Sequence, residues 1–244
     1  MLKGKVAIVT GGSRGLGRAI VENFIQNGCR VAFTYLNSEE KAKELCDKYR
    51  DDVVLAIRAD AGDYDKAFEV VQETVKKFGK IDILVNNVAM ARDKPIWEMD
   101  LDRWDYGIKR TLYPCFNYTR AVIDIFIKQR RGKIINIGSI NGIRGREGSI
   151  SYCTAKAGII GFTKTLAKEL GEYNVNVNVV APGYIDTDGQ SNTSELIKRM
   201  VLDECAIRRL SKPEEIAYLV EFLASEKSDN ITGEVIKIDN GQYI

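Results

Sequence analysis

Histidine is absent from this chain of 244 residues. Because histidine is the general base of Ser-His and Cys-His nucleophile sites and the commonest metal-binding side chain, its absence excludes those sites and makes a metal centre unexpected. Any acid–base chemistry must therefore use tyrosine, lysine, aspartate or glutamate, with a pKa that the protein environment moves toward neutral.

The cysteine pattern, the charge balance and the absence of long apolar runs each exclude a class of protein. The five cysteines are odd in number and show no C-x-x-C spacing, which indicates reduced thiols in a cytoplasmic protein. The 36 lysines and arginines nearly balance 34 aspartates and glutamates, and no dense basic block indicates nucleic-acid binding. No apolar run approaches the length of a membrane span, and the first apolar strand is too short for a signal-peptide core. We therefore expect a cytoplasmic protein that binds neither nucleic acid nor membranes.

Short apolar runs alternate with amphipathic segments along the whole chain. The pattern predicts strands over 6–10, 30–34, 53–57, 81–85, 133–137, 175–180 and 235–238, and helices over 18–27, 38–49, 64–77, 102–129, 151–173 and 213–223, with a short helix ending at 203. This order predicts an α/β fold in one domain, residues 1–244. Its form is Rossmann-like and doubly wound, a seven-stranded parallel sheet with helices on both faces.

Several polar or glycine residues directly follow predicted strands, namely Gly11, Asp60, Asn86, Ser139 and Pro182-Gly183. Ligands of doubly wound sheets lie beyond the carboxyl ends of the strands. These residues are therefore expected to converge on one cleft, although they are far apart in the sequence.

A glycine-rich loop with Gly11, Gly15 and Gly17 lies between the first strand and the first helix. Glycines permit a tight turn and let the backbone approach a diphosphate at the positive end of the helix dipole. The spacing is Gly-x-x-x-Gly-x-Gly and differs from the generic Gly-x-Gly-x-x-Gly, so a merely flexible loop is the alternative.

Residues 33–38, at the end of the second strand and just after it, include no acidic residue, whereas NAD-binding folds usually place a carboxylate there on the ribose. The residues at this point include Asn37, and the glycine loop carries Arg14. A guanidinium without a competing carboxylate favours a 2′-phosphate. The sequence thus predicts NADP(H) as cofactor, unless Arg14 is an ordinary solvated loop residue.

Tyr152 and Lys156 lie four residues apart, and a helix would place both on one face. A neighbouring cation favours the phenolate and lowers a tyrosine pKa, so that this tyrosine can exchange a proton with a carbonyl or alcohol oxygen. Ser139 lies thirteen residues before the tyrosine. By itself, Tyr-x-x-x-Lys also occurs by chance on many helices.

In order and spacing, the motifs resemble the short-chain dehydrogenase/reductase family over essentially the whole chain. They are Thr10-Gly11-x-x-x-Gly15-x-Gly17, Asp60, Asn86-Asn87, Ser139, Tyr152-x-x-x-Lys156 and Pro182-Gly183. Residues 138–139, 152–158, 177–183 and 231–234 are most similar to the bacterial 3-oxoacyl-[acyl-carrier-protein] reductases of that family. The resemblance implies an NADPH-dependent ketoreductase of a 3-oxoacyl thioester, bound to carrier protein or coenzyme A, in fatty-acid or polyketide-like synthesis. It also implies a homotetramer or dimer.

The resemblance further implies a role for each motif residue. Tyr152 would protonate the substrate carbonyl oxygen, Ser139 would hydrogen-bond it, and Lys156 would hold the nicotinamide ribose and lower the tyrosine pKa. Asp60 would meet the adenine, Asn86 the adenosine ribose region and Thr187 the nicotinamide carboxamide. The implied cofactor-binding set comprises Gly11, Ser13, Arg14, Gly15, Leu16, Gly17, Asn37, Asp60, Ala61, Asn86, Asn87, Tyr152, Lys156, Pro182, Gly183, Ile185 and Thr187.

Two departures from the family pattern concern the site. The family's asparagine in the long helix, which holds a relay water, is replaced by Thr111, the fourth candidate catalytic residue. A threonine hydroxyl is shorter and lacks an amide's separate donor and acceptor, so the relay is either rebuilt or impaired. The family's Asn-Asn-Ala-Gly turn has Ala89 at the glycine position, which predicts strain if that position needs a positive φ.

A third departure concerns the partner. The family's fatty-acid reductases present two arginines to the acidic acyl carrier protein, and the matching positions here are Arg130 and Tyr173. Arg131 is the neighbouring cation that compensates, or both arginines are solvated charges at a helix end. Residues 186–204 form either a substrate lid or a surface loop.

Two other functions stay open at this point. One is reduction or oxidation of a different small ketone or alcohol. The other is a catalytically weak, nucleotide-binding homologue that serves as a partner in an oligomer.

Overall fold

The computed structural model describes residues 1–187 and 195–244. Over these ranges it has one parallel sheet of seven strands in the order β3-β2-β1-β4-β5-β6-β7. The strands are β1 (Val6–Val9), β2 (Arg30–Tyr35), β3 (Val54–Arg58), β4 (Ile83–Asn86), β5 (Gly132–Ile137), β6 (Val175–Pro182) and β7 (Val235–Ile238). The helices are α1 (Gly15–Gln26), α2 (Glu39–Asp47), α3 (Tyr64–Phe78), α4 (Leu101–Gln129), α5 (Asn141–Arg144), α6 (Ile150–Leu170), α7 (Glu195–Glu204) and α8 (Pro213–Ala224). The predicted fold class is confirmed.

The sheet is covered on both faces, because its central strands are apolar on both sides. Val9 of β1 belongs to a core with Phe24 of α1 and Val220 of α8. Ile8 belongs to the opposite core, which contains Phe126 of α4 and side chains of α3 and α6. The strand order changes direction between β1 and β4, which is where doubly wound folds leave a crevice for ligands.

Local capping explains where two of the helices begin. The Asp63 carboxylate accepts the Lys66 N–H at 3.1 Å at the start of α3, and the Asp100 carboxylate accepts the Arg103 N–H at 2.8 Å at the start of α4. An aspartate at the N-cap satisfies an amide that has no partner within the helix. None of the helices in the described ranges is long and apolar enough to cross a membrane.

The elements differ from the predicted ones mainly at their ends. Helix α1 begins at Gly15 and so includes the end of the glycine loop. The predicted 151–173 helix becomes α6 followed by a 3-10 turn, Gly171–Tyr173. Helix α5 was not predicted, because four residues show no helical period. Of the lid-or-loop segment, residues 188–194 lie outside the described ranges, and the rest of its second half forms α7.

Candidate active site

A cavity of about 430 Å³ lies beyond the carboxyl ends of β1 to β4. The predicted cofactor residues that line it are Gly11, Ser13, Arg14, Gly15, Leu16, Gly17, Asn37, Asp60, Ala61, Asn87 and Thr187. The structure thus brings together residues from the glycine loop, from the ends of β2, β3 and β4, and from the segment after β6. A cavity of this size, lined by a few convergent polar groups, is typical of a cofactor site.

The glycine loop has the geometry that a bound diphosphate requires. Gly11 and Gly15 have φ values of 67° and 54°, in the left-handed region that favours glycine. A Cβ atom on Gly17 would lie 2.1 Å from the Gly11 carbonyl oxygen. The N-cap residue of α1, Arg14, makes no side-chain capping bond, so the first amides of the helix remain available to an anion. The loop therefore fits the diphosphate of a dinucleotide.

Asn86, the last residue of β4, and Asn87, which follows it, have different positions. The Asn87 side chain lines the cavity and donates to the Thr10 and Gly11 carbonyl oxygens at 3.0 and 3.3 Å, which ties the glycine loop to β4. Asn86 is buried, and its Nδ2 donates to Asn136 Oδ1 at 2.8 Å inside the protein. Asn86 does not line the cavity, and its contact with the cofactor stays a prediction.

The part of the cavity that follows β2 is lined by cationic side chains. Arg14 and Asn37 line it, as predicted, and so does Lys41 on the first turn of α2. Lys41 was not among the predicted residues. Its position three residues after Ser38, which precedes the helix, was the available signal, since the first turn of a helix after β2 faces the same end of the sheet.

At the part of the cavity that follows β3, Asp60 pairs with Arg110 of α4. Asp60 Oδ1 also accepts the Gly62 N–H at 2.9 Å, so the carboxylate is held in place from two sides. Arg110 lines the cavity but was not predicted, because no local pattern connects a residue of α4 with the loop after β3.

The three predicted catalytic residues of the Ser-Tyr-Lys set lie together beside β5. The Ser139 hydroxyl lies near the Tyr152 phenol, where it acts to lower the tyrosine pKa. Lys156 lies one helical turn after the tyrosine, with its Nζ 5.7 Å from the centre of the tyrosine ring. That amine is buried and donates to the Ile137 carbonyl oxygen at 2.5 Å. A hydroxyl pair next to a cation is suited to stabilise charge that develops on a carbonyl oxygen.

Burial has the largest effect on the pKa values of both Tyr152 and Lys156. It lowers the pKa of Lys156 to about 8. It also raises the pKa of Tyr152, as do the nearby Cys153 and Asp93, while Ser139 and Arg146 act in the opposite direction. The expected lowering of the tyrosine pKa by Lys156 is thus not what this structure shows, because desolvation of the phenol is the largest effect.

Thr111 is buried and contacts the segment after β4, residues 88–93, which we call the strap. Its Oγ1 donates to the Met90 carbonyl oxygen at 3.0 Å and accepts the Met90 N–H at 3.2 Å. The hydroxyl therefore holds the strap against α4, and its relay role stays a prediction. Ala89 in the strap is not strained, since the non-glycine residues with positive φ in the described ranges are Arg130, Asn174 and Asn240.

Tyr152 and Lys156 of the predicted cofactor set lie outside the cavity lining, and so do Pro182, Gly183 and Ile185. The last three direct the chain from β6 toward the glycine loop. Ile185 forms a bridge with Ser211, and two residues later the Thr187 side chain comes within 4 Å of where a Cβ atom on Gly15 would lie.

A dinucleotide cleft at the switch point of a parallel sheet, with a Ser-Tyr-Lys set beside it, is the arrangement of a nicotinamide-dependent oxidoreductase that acts on a ketone or alcohol. Residues 11–242 match a family model described as enoyl-(acyl carrier protein) reductase. The chain therefore belongs to the short-chain dehydrogenase/reductase family.

Relatives and solved structures agree with this assignment. The chain is 42% identical to the 3-oxoacyl-[acyl-carrier-protein] reductase FabG of Aquifex aeolicus, over 99% of this chain and 98% of the relative. It is 41% identical to the Chlamydia muridarum reductase of the same name, again over 99% and 98%. A double mutant of a Serratia marcescens short-chain dehydrogenase/reductase superimposes with a TM-score of 0.92 at 36% identity, covering 99% of this chain and 98% of that one.

Proposed function

We propose that this protein reduces a 3-oxoacyl thioester, carried by acyl carrier protein or coenzyme A, to the 3-hydroxyacyl product with NADPH. The observation that carries the proposal is the Ser139–Tyr152 hydroxyl pair beside the buried amine of Lys156. The substrate class comes from the relatives, whose names specify 3-oxoacyl-[acyl-carrier-protein] reduction and which match this chain over nearly its full length. Fatty-acid synthesis or a polyketide-like pathway is the setting that uses this product.

The nicotinamide cofactor supplies the hydride when it is bound. The Ser139 and Tyr152 hydroxyls hold the substrate carbonyl oxygen, and Tyr152 donates its proton to the oxygen as negative charge develops there. Its raised pKa keeps the phenol protonated at neutral pH, which is the form that reduction needs. Lys156, with a pKa of about 8, exchanges protons near neutral pH and is placed to restore the tyrosine proton.

The preference for NADPH over NADH rests on the charge at the ribose end of the cleft. Arg14 and Lys41 both line this end, together with the Asn37 amide, and no acidic residue occurs in the segment from Thr34 to Ser38. Cations and an amide at this end of the cleft suit a 2′-phosphate better than a bare 2′-hydroxyl.

We propose that an acidic carrier docks near Arg130. This guanidinium lies 5.8 Å from the centre of the Tyr173 ring and donates to the Glu172 carbonyl oxygen at 2.5 Å, so its charge faces no carboxylate in these contacts. Arg131 instead pairs with Glu226 at 2.8 Å. Arg130 is therefore the better docking group of the two predicted arginines.

Self-association into a dimer or tetramer is also part of the proposal. Phe116 and Tyr113 of α4 are 50% and 47% exposed, and Phe116 stacks with the partly exposed Tyr64. Large apolar side chains on one exposed helix face are typical of an interface. A cytoplasmic location follows from the same proposal, since all five cysteines are unpaired.

The test is oxidation of NADPH and of NADH by the purified protein with acetoacetyl thioester, beside the Tyr152→Phe variant. We expect turnover with NADPH and none in the variant, with nearly unchanged NADPH binding because the phenol lies outside the cavity lining. Turnover that survives in Tyr152→Phe would refute the assigned proton donor. If the native protein binds NADPH but oxidises neither cofactor with this thioester, a different ketone substrate or a catalytically weak, nucleotide-binding homologue would be favoured.

A further inference from the structure

The strap joins the cofactor cleft to the helix that carries the catalytic tyrosine. Its first three residues, Val88, Ala89 and Met90, line the cavity. Its last residue, Asp93, lies at the beginning of α6. The strap thus lines the cofactor cavity at one end and contacts the start of α6, which carries the catalytic tyrosine, at the other.

The Asp93 carboxylate accepts three hydrogen bonds at the start of α6. Oδ1 accepts from the Ser151 N–H at 3.0 Å and from the Ser151 hydroxyl at 2.5 Å, and Oδ2 accepts from the Tyr152 N–H at 3.2 Å. Ser149, the residue at the N-cap of this helix, makes no side-chain capping bond. The cap of α6 is therefore supplied by a residue 58 positions away, and one of the capped amides belongs to the catalytic tyrosine itself.

Contacts with α4 also hold the strap in place and thereby fix the position of Asp93. Thr111 bonds both backbone groups of Met90, as described above. The Arg92 guanidinium lies 4.0 Å from the centre of the Tyr106 ring. The next residue of α4, Gly107, lets α4 and α6 meet closely, because a Cβ atom there would lie 2.0 Å from Ser151 Oγ. These contacts fix the carboxylate relative to both helices.

The charged and titratable groups around the Tyr152 phenol come from several elements. Asp93 from the strap and Cys153 from α6 both raise its pKa, and Arg146 from the loop before α6 lowers it. Lys156 lies on the next turn of α6, 5.7 Å from the ring. Asp93 is thus the carboxylate that opposes formation of the phenolate.

We infer that Asp93 is a positioning residue, which fixes the first turn of α6 and with it the Tyr152 hydroxyl against the strap that lines the cofactor cleft. The inference rests on the proposed function for its kinetic consequences. Loss of the carboxylate has two effects. The tyrosine is no longer held in place for proton transfer, and a negative charge that opposes the phenolate disappears.

The test compares Asp93→Asn with Asp100→Asn, a matched loss of a helix-capping carboxylate at the exposed start of α4. For Asp93→Asn we expect kcat for the acyl thioester to fall about tenfold, a part of what a general acid contributes, with little change in KM for NADPH. In the reverse direction, in which the phenolate is the base, the alkaline rise in rate should move to lower pH. Asp100→Asn should change neither kcat nor this pH profile.

Two results would overturn the inference. If kcat falls equally in both variants, general destabilisation explains the loss. If the pH profile of Asp93→Asn does not move, the Asp93 charge has no effect on the phenol. Should Asp93→Asn not fold, Ser151→Ala removes one of the three donors without changing any charge. A normal kcat in that variant would equally count against positioning by Asp93.

Hydrogen exchange of the Ser151 and Tyr152 amides gives a readout that needs no substrate. Both amides should exchange faster in Asp93→Asn than in the native protein and at the native rate in Asp100→Asn. If the native protein proves inactive on thioesters, the proposed function fails, and this measurement still decides whether Asp93 holds the helix. Unchanged exchange at both amides would refute the inference.

Discussion

The buried amine of Lys156 makes the native protein less stable than a variant without it. The side chain is 2% exposed, and no carboxylate among the described residues offsets the burial, which lowers its pKa to about 8. The protein thus keeps an ammonium group in its interior without an anionic partner. Unfavourable burial of a charged group is common in active sites that need a residue with a pKa near neutral.

The magnitude follows from proton linkage. The unfolded chain holds the lysine proton up to its ordinary pKa of 10.5, whereas the folded chain releases it near 8. At about 1.4 kcal/mol per pH unit, this difference destabilises the folded state by about 3 kcal/mol at neutral pH. Because the unfolded state binds more protons in this window, stability from this residue rises with pH between 8 and 10.5.

Lys156→Met removes the charge at nearly constant volume but leaves the Ile137 carbonyl oxygen without its donor. That loss costs about 1 kcal/mol, so the variant should be about 2 kcal/mol more stable at neutral pH, although it is inactive. Above pH 10.5 the native lysine is neutral in both states, and the advantage should vanish.

Urea unfolding of the cofactor-free protein at one fixed concentration measures this difference, since self-association makes stability depend on concentration. Lys164→Met, at an exposed position of the same helix, is the control and should leave stability nearly unchanged. A Lys156→Met variant that is no more stable than the native protein at neutral pH, or whose advantage does not depend on pH, would refute the reasoning.

Three further predictions concern cofactor and pH. Gly17→Ala should abolish NADPH binding in a fluorescence titration, because its Cβ would lie 2.1 Å from the Gly11 carbonyl oxygen, whereas Gly171→Ala, where a Cβ meets nothing, should bind normally. Arg14→Glu should lower kcat/KM for NADPH by about tenfold to a hundredfold relative to NADH, in rates measured with both cofactors. In the native protein, kcat/KM for NADPH should fall above about pH 8 as Lys156 loses its proton, and a rate constant that is level up to pH 10 would contradict this.

The sequence was sufficient for the sheet, its longer helices and the glycine loop, because these depend on local signals. Val6–Val9 is a continuous apolar run, as expected for a strand buried on both faces, and the loop after it needs glycine at Gly11 and Gly15 for their positive φ. The location of a residue that directly follows a strand can also be predicted locally, because the carboxyl ends of parallel strands lie at one edge of the sheet. That rule predicted the positions of Gly11, Asp60, Asn86, Pro182 and Gly183, whereas the rest of the cofactor set came mainly from the family resemblance.

Lys41 was missed although its position on the first turn of α2 was a local signal, whereas Asp93 and Arg110 act through contacts that no local pattern encodes. Asp93 reaches a helix that begins far along the chain, and Arg110 reaches the loop after β3 from the middle of α4. Such pairs depend on the rotation of a helix about its axis and on loop paths. Asn86 shows the reverse case. Its position at a strand end predicted the cleft, whereas its side-chain amide donates to the buried Asn136.

Burial also explains why the direction of the Tyr152 pKa could not be read from the Tyr-x-x-x-Lys spacing. The spacing puts a cation near the ring, but desolvation acts on both groups and disfavours the charged form of each. The phenol thereby stays protonated while the pKa of Lys156 moves to about 8. The group that titrates near neutral pH is then the lysine, and the tyrosine remains a proton donor throughout that range. Such a division of roles suits reduction of a carbonyl better than oxidation of an alcohol, which needs the phenolate.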